Sequence, residues 1–405
     1  MALTSASFMG LGGYSTVLLT KLDKIDCSQV LAAVLKADKE LLGHIRMGPP
    51  VHNVEHNWIE DELVGNTFYA TCTVSASIQC SAWFSTSASL ERVVTSDCIV
   101  MRDGGEWYAQ VTGTTAGSVI LATTYGSTTH VATSLWGLGG VSVSAKFMVV
   151  ASPYSDIDDA SDDRSQSRGK RRNFTQVFER AVQITQTRQG IDMEAVTSEL
   201  QTQIKYRTLE IKRELDVSVI NGIAKGDGAR RTGLTEWRTM MGIINYIRDY
   251  DMDCVVNDTL VTQVSGALTV GNLNTAIYGI WDAGGLDEMS DPIIVVGANQ
   301  QRVIAAWEKD LRRVEQGERQ VGYYRDIFLS DMGKEFPVVM DRWVPSDKLV
   351  VLDRARVVLK ALQGDAWHME KMAKTGRNEK WQISGQYTIE LRNADKCHAL
   401  MYDLS

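Results

Sequence analysis

Phe68-Tyr69-Ala70-Thr71-Cys72-Thr73-Val74-Ser75-Ala76-Ser77-Ile78-Gln79-Cys80-Ser81-Ala82 is the stretch on which the reading of this chain turns. Every even position is apolar and every odd one carries a hydroxyl or an amide. A period of two puts successive side chains on opposite faces, so this is a strand pattern rather than a helical one. Read as one strand, fifteen residues at about 3.3 Å each reach roughly 50 Å. Ordinary strands have about five or six residues. A second alternation follows at Val141, Val143, Ala145, Phe147, Val149 and Ala151, with Ser142, Ser144, Lys146 and Met148 between. Paired, the two would form a long hairpin with one uncovered apolar face. An isolated hairpin is marginal in water, so the expected cover is a neighbouring subunit.

Working outward, residues 91–140 are rich in Thr, Val and Gly, with turn signals at Asp103-Gly104-Gly105, Ala116-Gly117-Ser118 and Gly126-Ser127. They predict a small β module at the hairpin tip. Residues 155–172 run from Asp156, Asp158, Asp159, Asp162 and Asp163 into Arg164, Arg168, Lys170, Arg171 and Arg172. Without an apolar pattern after Ile157, this predicts an exposed, mobile connection.

Helical spacing governs two other regions. Residues 21–45 place Leu22, Ile25, Val30, Leu31, Val34, Leu35, Leu41 and Leu42 at helical intervals, until Gly43 and Pro49-Pro50. A long helix is expected over about 191–223, with Val196, Leu200, Ile204, Ile211, Leu215 and Val219 as its stripe and Gly226 and Gly228 as its stop. Lys212 with Asp216, and Arg207 with Glu210, are spaced to pair on it.

From 256 to 344 the pattern is α/β. One helix carries Leu273, Ala276, Ile277, Ile280 and Trp281, with Asn272 as N-cap and Gly284-Gly285 as stop. Pro292–Val296 reads as a buried strand, and a second helix carries Val303, Ile304, Trp307, Leu311 and Val314. Strands return at Leu349–Leu352, Val357–Leu362 and Trp381–Arg392.

Composition bounds the function. The 405 residues are 44% hydrophobic and 23% charged, with room for two or three cores. A net charge of −8 is a poor footing for a sequence-reading nucleic-acid binder. No apolar run is long enough for a membrane span. Met1 to Gly13 lack the basic start of a secretory signal. The expectation is therefore a protein that stays in the cytoplasm where it is made. The six cysteines, Cys27, Cys72, Cys80, Cys98, Cys254 and Cys397, form no C-x-x-C pair and read as reduced, mostly buried thiols.

Motifs for chemistry are weak throughout. Gly10-Leu11-Gly12-Gly13 lacks dinucleotide-loop spacing, and Gly226-Asp227-Gly228 follows a helix instead of a strand. His52 and His56 are four apart, but Pro49-Pro50 argue against a helix that would aim both at one metal. The aspartates at 156–163 have Ser161 where a calcium loop needs Gly, and Ser167 where it needs Glu. No catalytic, cofactor-binding or metal-ligating residue is assigned, and no enzyme activity is expected.

Four blocks carry a family resemblance. They are Glu55-His56-Asn57-Trp58-Ile59-Glu60-Asp61-Glu62-Leu63; Asn173-Phe174-Thr175-Gln176-Val177-Phe178 with Ile184 and Thr187; Glu210-Ile211-Lys212-Arg213-Glu214-Leu215-Asp216 with Met241-Gly242-Ile243; and Ala373-Lys374-Thr375-Gly376 with Tyr387-Thr388-Ile389-Glu390-Leu391-Arg392-Asn393. With them the chain resembles the major capsid proteins of tailed bacteriophages, in the subgroup with a β insertion in the extended loop. It departs from that pattern at Gln386, usually Glu, and Cys397, usually Ala.

The resemblance implies an α+β Hong Kong 97-type fold. Its parts would be an N-terminal arm over 1–50, an extended loop (E-loop) over 51–172 with the β domain inserted at about 91–140, a peripheral (P) domain over 173–255 with its spine helix, an axial (A) domain over 256–344, and C-terminal P-domain strands over 345–405. It further implies self-assembly into hexamers and pentamers of an icosahedral head enclosing the genome. Portal, scaffold and decoration proteins and non-specific contact with packaged double-stranded DNA would follow, with no cofactor and no membrane. The location would be the virion, after assembly in the host cytoplasm. An encapsulin-like compartment shell is the alternative on the same fold. An enzyme built on 256–344 and a secreted β adhesin are the readings from other classes.

Overall fold

The computed structural model describes residues 40–61, 66–74, 78–83, 94, 98–102, 108–115, 118–121, 143–153, 156, 168–191, 198–224, 238–250, 255–256, 260–307, 312–316, 324–374 and 376–405. The apolar pattern at 21–39, Gly10–Gly13, Gly226–Gly228 and the acidic run after Asp156 lie outside them. What is described falls into a mixed α/β body built on two sheets, a two-stranded ribbon and a barrel.

The deciding stretch is not one strand. It is β3 (Thr67–Val74) and β4 (Ile78–Trp83), folded back on each other with Ala70 opposite Ala82, Cys72 opposite Cys80 and Val74 opposite Ile78. With β5 (Ile99–Arg102), β6 (Tyr108–Thr115), β7 (Ser118–Leu121) and β8 (Val143–Ala151) they close a barrel in the order β3-β4-β7-β6-β5-β8. The pairing of β3 with β8 agrees with the two alternations read as partners, Phe68 facing Phe147. The reach and the cover do not agree. The β module runs from Thr67 to Ala151 instead of 91–140, and its interior is filled by Phe68, Val94, Cys98, Val100, Val111 and Phe147. Phe68 and Phe147 stack with ring centroids 5.5 Å apart. Closure abolishes the uncovered face that an open hairpin would present.

The ribbon pairs β2 (Glu55–Glu60) with β9 (Gly169–Phe174). Residues 169–172, expected in a mobile connection, are therefore strand, with Arg171 on Glu60 and, just outside it, Arg168 on Asp61.

The five-stranded sheet has β1 (Arg46–Met47), β19 (Val357–Ala361), β21 (Asn378–Leu391) and β10 (Gln176–Thr185) in that order, with β20 (His368–Lys371) also on β21. The long helix, Glu199–Asn221, packs on β10 and β21. Its hydroxyl cap is Ser198, which accepts from Gln201 N–H. Ile211, Leu215, Val219 and Ile220 are buried, while Leu200 and Ile204 are only partly so. Arg207 pairs with Glu210 as expected, Nη1 to Oε2 2.6 Å. The helix stops at Gly222, before Gly226, because the chain re-enters there. Gly242 N–H donates to Gly222 O, and a Cβ on Gly222 would lie 2.4 Å from Ser218 O. One on Gly242 would lie 2.5 Å from Gly222 N. Glycine at both positions is what lets the next helix, Ile243–Arg248, start against the first. A two-residue hairpin, β11 (Asp249–Tyr250) with β12 (Val255–Val256), follows.

The seven-stranded sheet runs β13 (Val261–Gly266), β22 (Ala399–Leu404), β18 (Leu349–Asp353), β14 (Pro292–Val296), β17 (Glu335–Met340), β16 (Tyr324–Leu329), β15 (Arg312–Gln316). Its centre is apolar on both faces. Ile293, Val295, Val350, Leu352 and Leu400 join the core shared with the long helix and the five-stranded sheet. Ile294, Val296, Leu349, Val351, Ala399 and Met401 face a second core under the helices Val270–Asp282 and Ala298–Ala305. That double burial explains unbroken runs such as Ile293-Ile294-Val295-Val296.

Strands return where expected, with Leu349–Asp353 and Ala399–Leu404 in the seven-stranded sheet and the strands within 357–391 in the five-stranded one. Two local expectations are corrected. The helix at 270–282 is capped by Thr269, whose hydroxyl accepts from Asn272 N–H, so Asn272 is not the cap. Its end matches the expectation: Gly284 at φ +78° and Gly285 return N–H groups to Trp281 O and Ile280 O. Finally, Val314 is on a strand and not on the second helix, which ends at Ala305.

Candidate assembly surfaces and the junction at the root of the arm

Parts of the quoted sequence blocks, around Trp58, Asn173, Met241 and Glu390, meet where the ribbon joins the body. Alternation on β2 sends His56, Trp58 and Glu60 inward and leaves Asn57 and Ile59 outside, Ile59 being 70% exposed. Trp58 is buried between the His56 and Tyr246 rings, each with its centroid 5.7 Å away. Its Nε1 donates to Glu60 Oε1 at 2.9 Å. The same oxygen accepts Asn393 N–H at 2.6 Å, and Oε2 meets Arg171. Burial raises the Glu60 pKa, against those two hydrogen bonds. Asn393 sits at φ +52°, a left-handed conformation that asparagine tolerates.

Glu390 is the second carboxylate of the junction. It is 1% exposed and is met by His56 Nε2 at 2.6 Å, Lys360 Nζ and Arg392 Nε. Burial alone would raise its pKa, but the three donors outweigh burial and hold it at about 2. Asn173 closes the knot. Its amide donates to Met241 O and Ile389 O, and its carbonyl accepts Met241 and Phe174 N–H. All four of its bonding positions are used, in a side chain with no exposure.

His52 and His56 do not converge: His52 is exposed and His56 serves Glu390. Among the described residues no group of three or more His, Cys, Asp or Glu is arranged to hold a metal. Cys98 and Cys397 are buried, and burial pushes the Cys397 thiol up to about 11. The other four cysteines lie outside the residues whose side chains are described.

One site escaped the sequence reading. His398 is fully buried, accepts Asp353 N–H at Nδ1 and donates from Nε2 to Arg392 O. Burial lowers its pKa to about 4. The neighbouring Asp353 carboxylate, also buried, accepts Ser290, Asp291 and Ala355 N–H and meets Arg356. No motif spacing links residues 353 and 398.

Large apolar side chains reach solvent on several elements. Tyr278 and Trp281 are 51% and 43% exposed, with ring centroids 5.6 Å apart. A cleft of about 190 Å³ between the long helix and β20 is lined by Thr208, Ile211, Lys212, Trp367, His368, Met369 and Ile383. Met369 and Met372 are exposed beside it.

A family model described as SU10 major capsid protein matches residues 12–405. A major capsid protein of Escherichia phage Phieco32 is 21% identical over 265 residues, which cover 55% of this chain and 72% of that one. A structure from Mycobacterium phage Cain aligns over 97% of this chain and 98% of its own, at 12% identity and a TM-score of 0.43. The holo-SrpI encapsulin complex of Synechococcus elongatus PCC 7942 aligns over 58% and 76%, at 12% identity and a TM-score of 0.41.

Proposed function

Because the chain belongs to the SU10 major capsid protein family, and so is a phage major capsid protein, we propose that it packs as hexamers and pentamers of an icosahedral head around the genome. The carrying observation is the extent of the family match, which takes in the ribbon, barrel and both sheets alike. In this reading the long helix is the spine and the five-stranded sheet is the P domain. The seven-stranded sheet is the A domain, and the barrel is the module borne on the E-loop. Portal, scaffold and decoration proteins and the packaged DNA are its further partners, and assembly takes place in the host cytoplasm. The family assignment favours this over an encapsulin compartment, and subunits of this kind need no catalytic site. Negative-stain microscopy and sedimentation of the purified protein test the reading. Closed shells or discrete pentamers and hexamers are expected. A monodisperse monomer or small oligomer at high concentration overturns it.

A further inference from the structure

Ser384, His368 and Asp365 come together on the five-stranded sheet. Ser384 on β21 and His368 on β20 are direct cross-strand partners, so their side chains share one face. Ser384 Oγ lies 3.1 Å from His368 Nε2. The other ring nitrogen, Nδ1, lies 2.9 Å from Ala366 O and 3.5 Å from Asp365 Oδ1. A carbonyl can only accept, so Nδ1 carries the ring proton. In the neutral ring Nε2 is then bare, and Ser384 donates its Oγ–H to it. Asp365 is set by its own backbone. Its N–H donates to Leu362 O and its carbonyl accepts Gln386 N–H, just after Gly364 at φ +82°. The His368 and Asp365 side chains are 40% and 28% exposed, so solutes reach the ring. A hydroxyl, a base with its bare nitrogen toward that hydroxyl, and an acid behind the base form the arrangement that activates serine for acyl transfer. It is recognised by geometry and not by sequence position.

We propose that Ser384 is an activated nucleophile, a modification site that takes an acyl group from small activated esters. Ser384 Oγ attacks the ester carbonyl carbon while His368 Nε2 takes the hydroxyl proton. An Oγ–C bond forms. The ester C–O bond breaks with its electron pair on the leaving oxygen, and the imidazolium passes the proton to that oxygen. The products are an acyl-serine and a free alcohol. Asp365 is a positioning residue, facing the Nδ1 side of the imidazolium that the step creates. Because the ring stands open to solvent, the donor must bring its own reactivity, which makes it an activated ester and not an amide. This site goes beyond the shell reading and does not rest on it.

Acetylation of the unassembled full chain by p-nitrophenyl acetate tests it. Peptide mapping over time should find Ser384 labelled ahead of every other serine. Ser384→Ala should remove that label. His368→Ala should slow labelling of Ser384 on the order of a hundredfold, the usual worth of a general base, and Asp365→Asn should slow it less. Labelling should also fall on acidification, because a protonated ring cannot take the serine's proton, and His368→Ala should lose that dependence. Glu179, opposite Ser384 on β10, and Glu370, two places along β20, share the face and remain in that variant. A dependence that persists there belongs to them and overturns the proposal. So does labelling of Ser384 at the rate of other serines, or at one rate in the unmodified chain and in His368→Ala, since the contact is then an ordinary surface hydrogen bond.

Discussion

The His56 ring nitrogen Nε2 lies 2.6 Å from the Glu390 carboxylate, across 334 positions of sequence. It fastens the β2–β9 ribbon that leads to the barrel to the five-stranded sheet, beside Lys360 and Arg392. Removing the acid strands the largely buried His56 and Lys360, while Arg392, about half exposed, can turn to water. Glu390→Ala should therefore cost about 3–5 kcal/mol, read as a lowered urea midpoint of unassembled protein. The folded pKa lies below the unfolded value, about 2 against 4.5. The Glu390 contribution is thus whole above pH 4.5 and is lost as pH falls toward 2. An unchanged midpoint in the variant at pH 7 would show that the junction is not structural.

His398 acts in a higher window. Its folded pKa of about 4 is below the unfolded 6.5, so the unfolded chain binds the proton first. Stability should be full above pH 6.5 and fall as pH drops toward 4. The proton would occupy Nδ1, which accepts Asp353 N–H. Unfolding midpoints of wild type and His398→Gln, compared between pH 7 and 4, read this directly. The variant's curve should be the flatter of the two, and parallel curves would exclude His398 as the source.

Ile211 is 1% exposed under the five-stranded sheet. Ile211→Ala should cost about 2–5 kcal/mol through lost burial and a residual cavity. Because the cleft opens beside it, partial collapse should place the value at the low end of that range. Denaturant titration of free subunits supplies the number.

Elements buried on one pattern were legible in the sequence. Pro292–Val296, the stripe at Ile211 and Leu215, and the Gly284-Gly285 stop all lie where apolar period and glycine chemistry put them. The barrel was not legible, for a definite reason. β3 and β4 are joined by the three residues 75–77, and Val74 pairs with Ile78. An odd-length connection keeps even-numbered residues on one face of both strands. The alternation therefore crosses the connection without a change of phase, and two paired strands imitate one long strand. Likewise, sheet membership of 349–353 and 399–404 depends on partners about fifty residues away, which local pattern does not encode.

The junction was half legible. Its blocks were visible as sequence, but the reasons for them are three-dimensional. Asn173 is needed because Met241 and Ile389 present unpaired backbone groups to it. Gly242 is needed because Gly222 lies against it. The exchange between His398 and Asp353 leaves no mark at either position.

The barrel offers the sharpest separation of local from global stability. Phe147 has no exposure and stacks on its cross-strand partner Phe68, with an angle of 16° between the rings. Phe147→Ala should cost about 3–5 kcal/mol, because β8 pairs with both β3 and β5 and closes the ring. The loss should stay in the module, since the two body cores contain no barrel residue. Hydrogen exchange should therefore quicken in the described strands between Thr67 and Ala151. Amides of β14, β18 and β21 should keep their protection. If those central strands loosen together with the barrel, the module is not an independent folding unit.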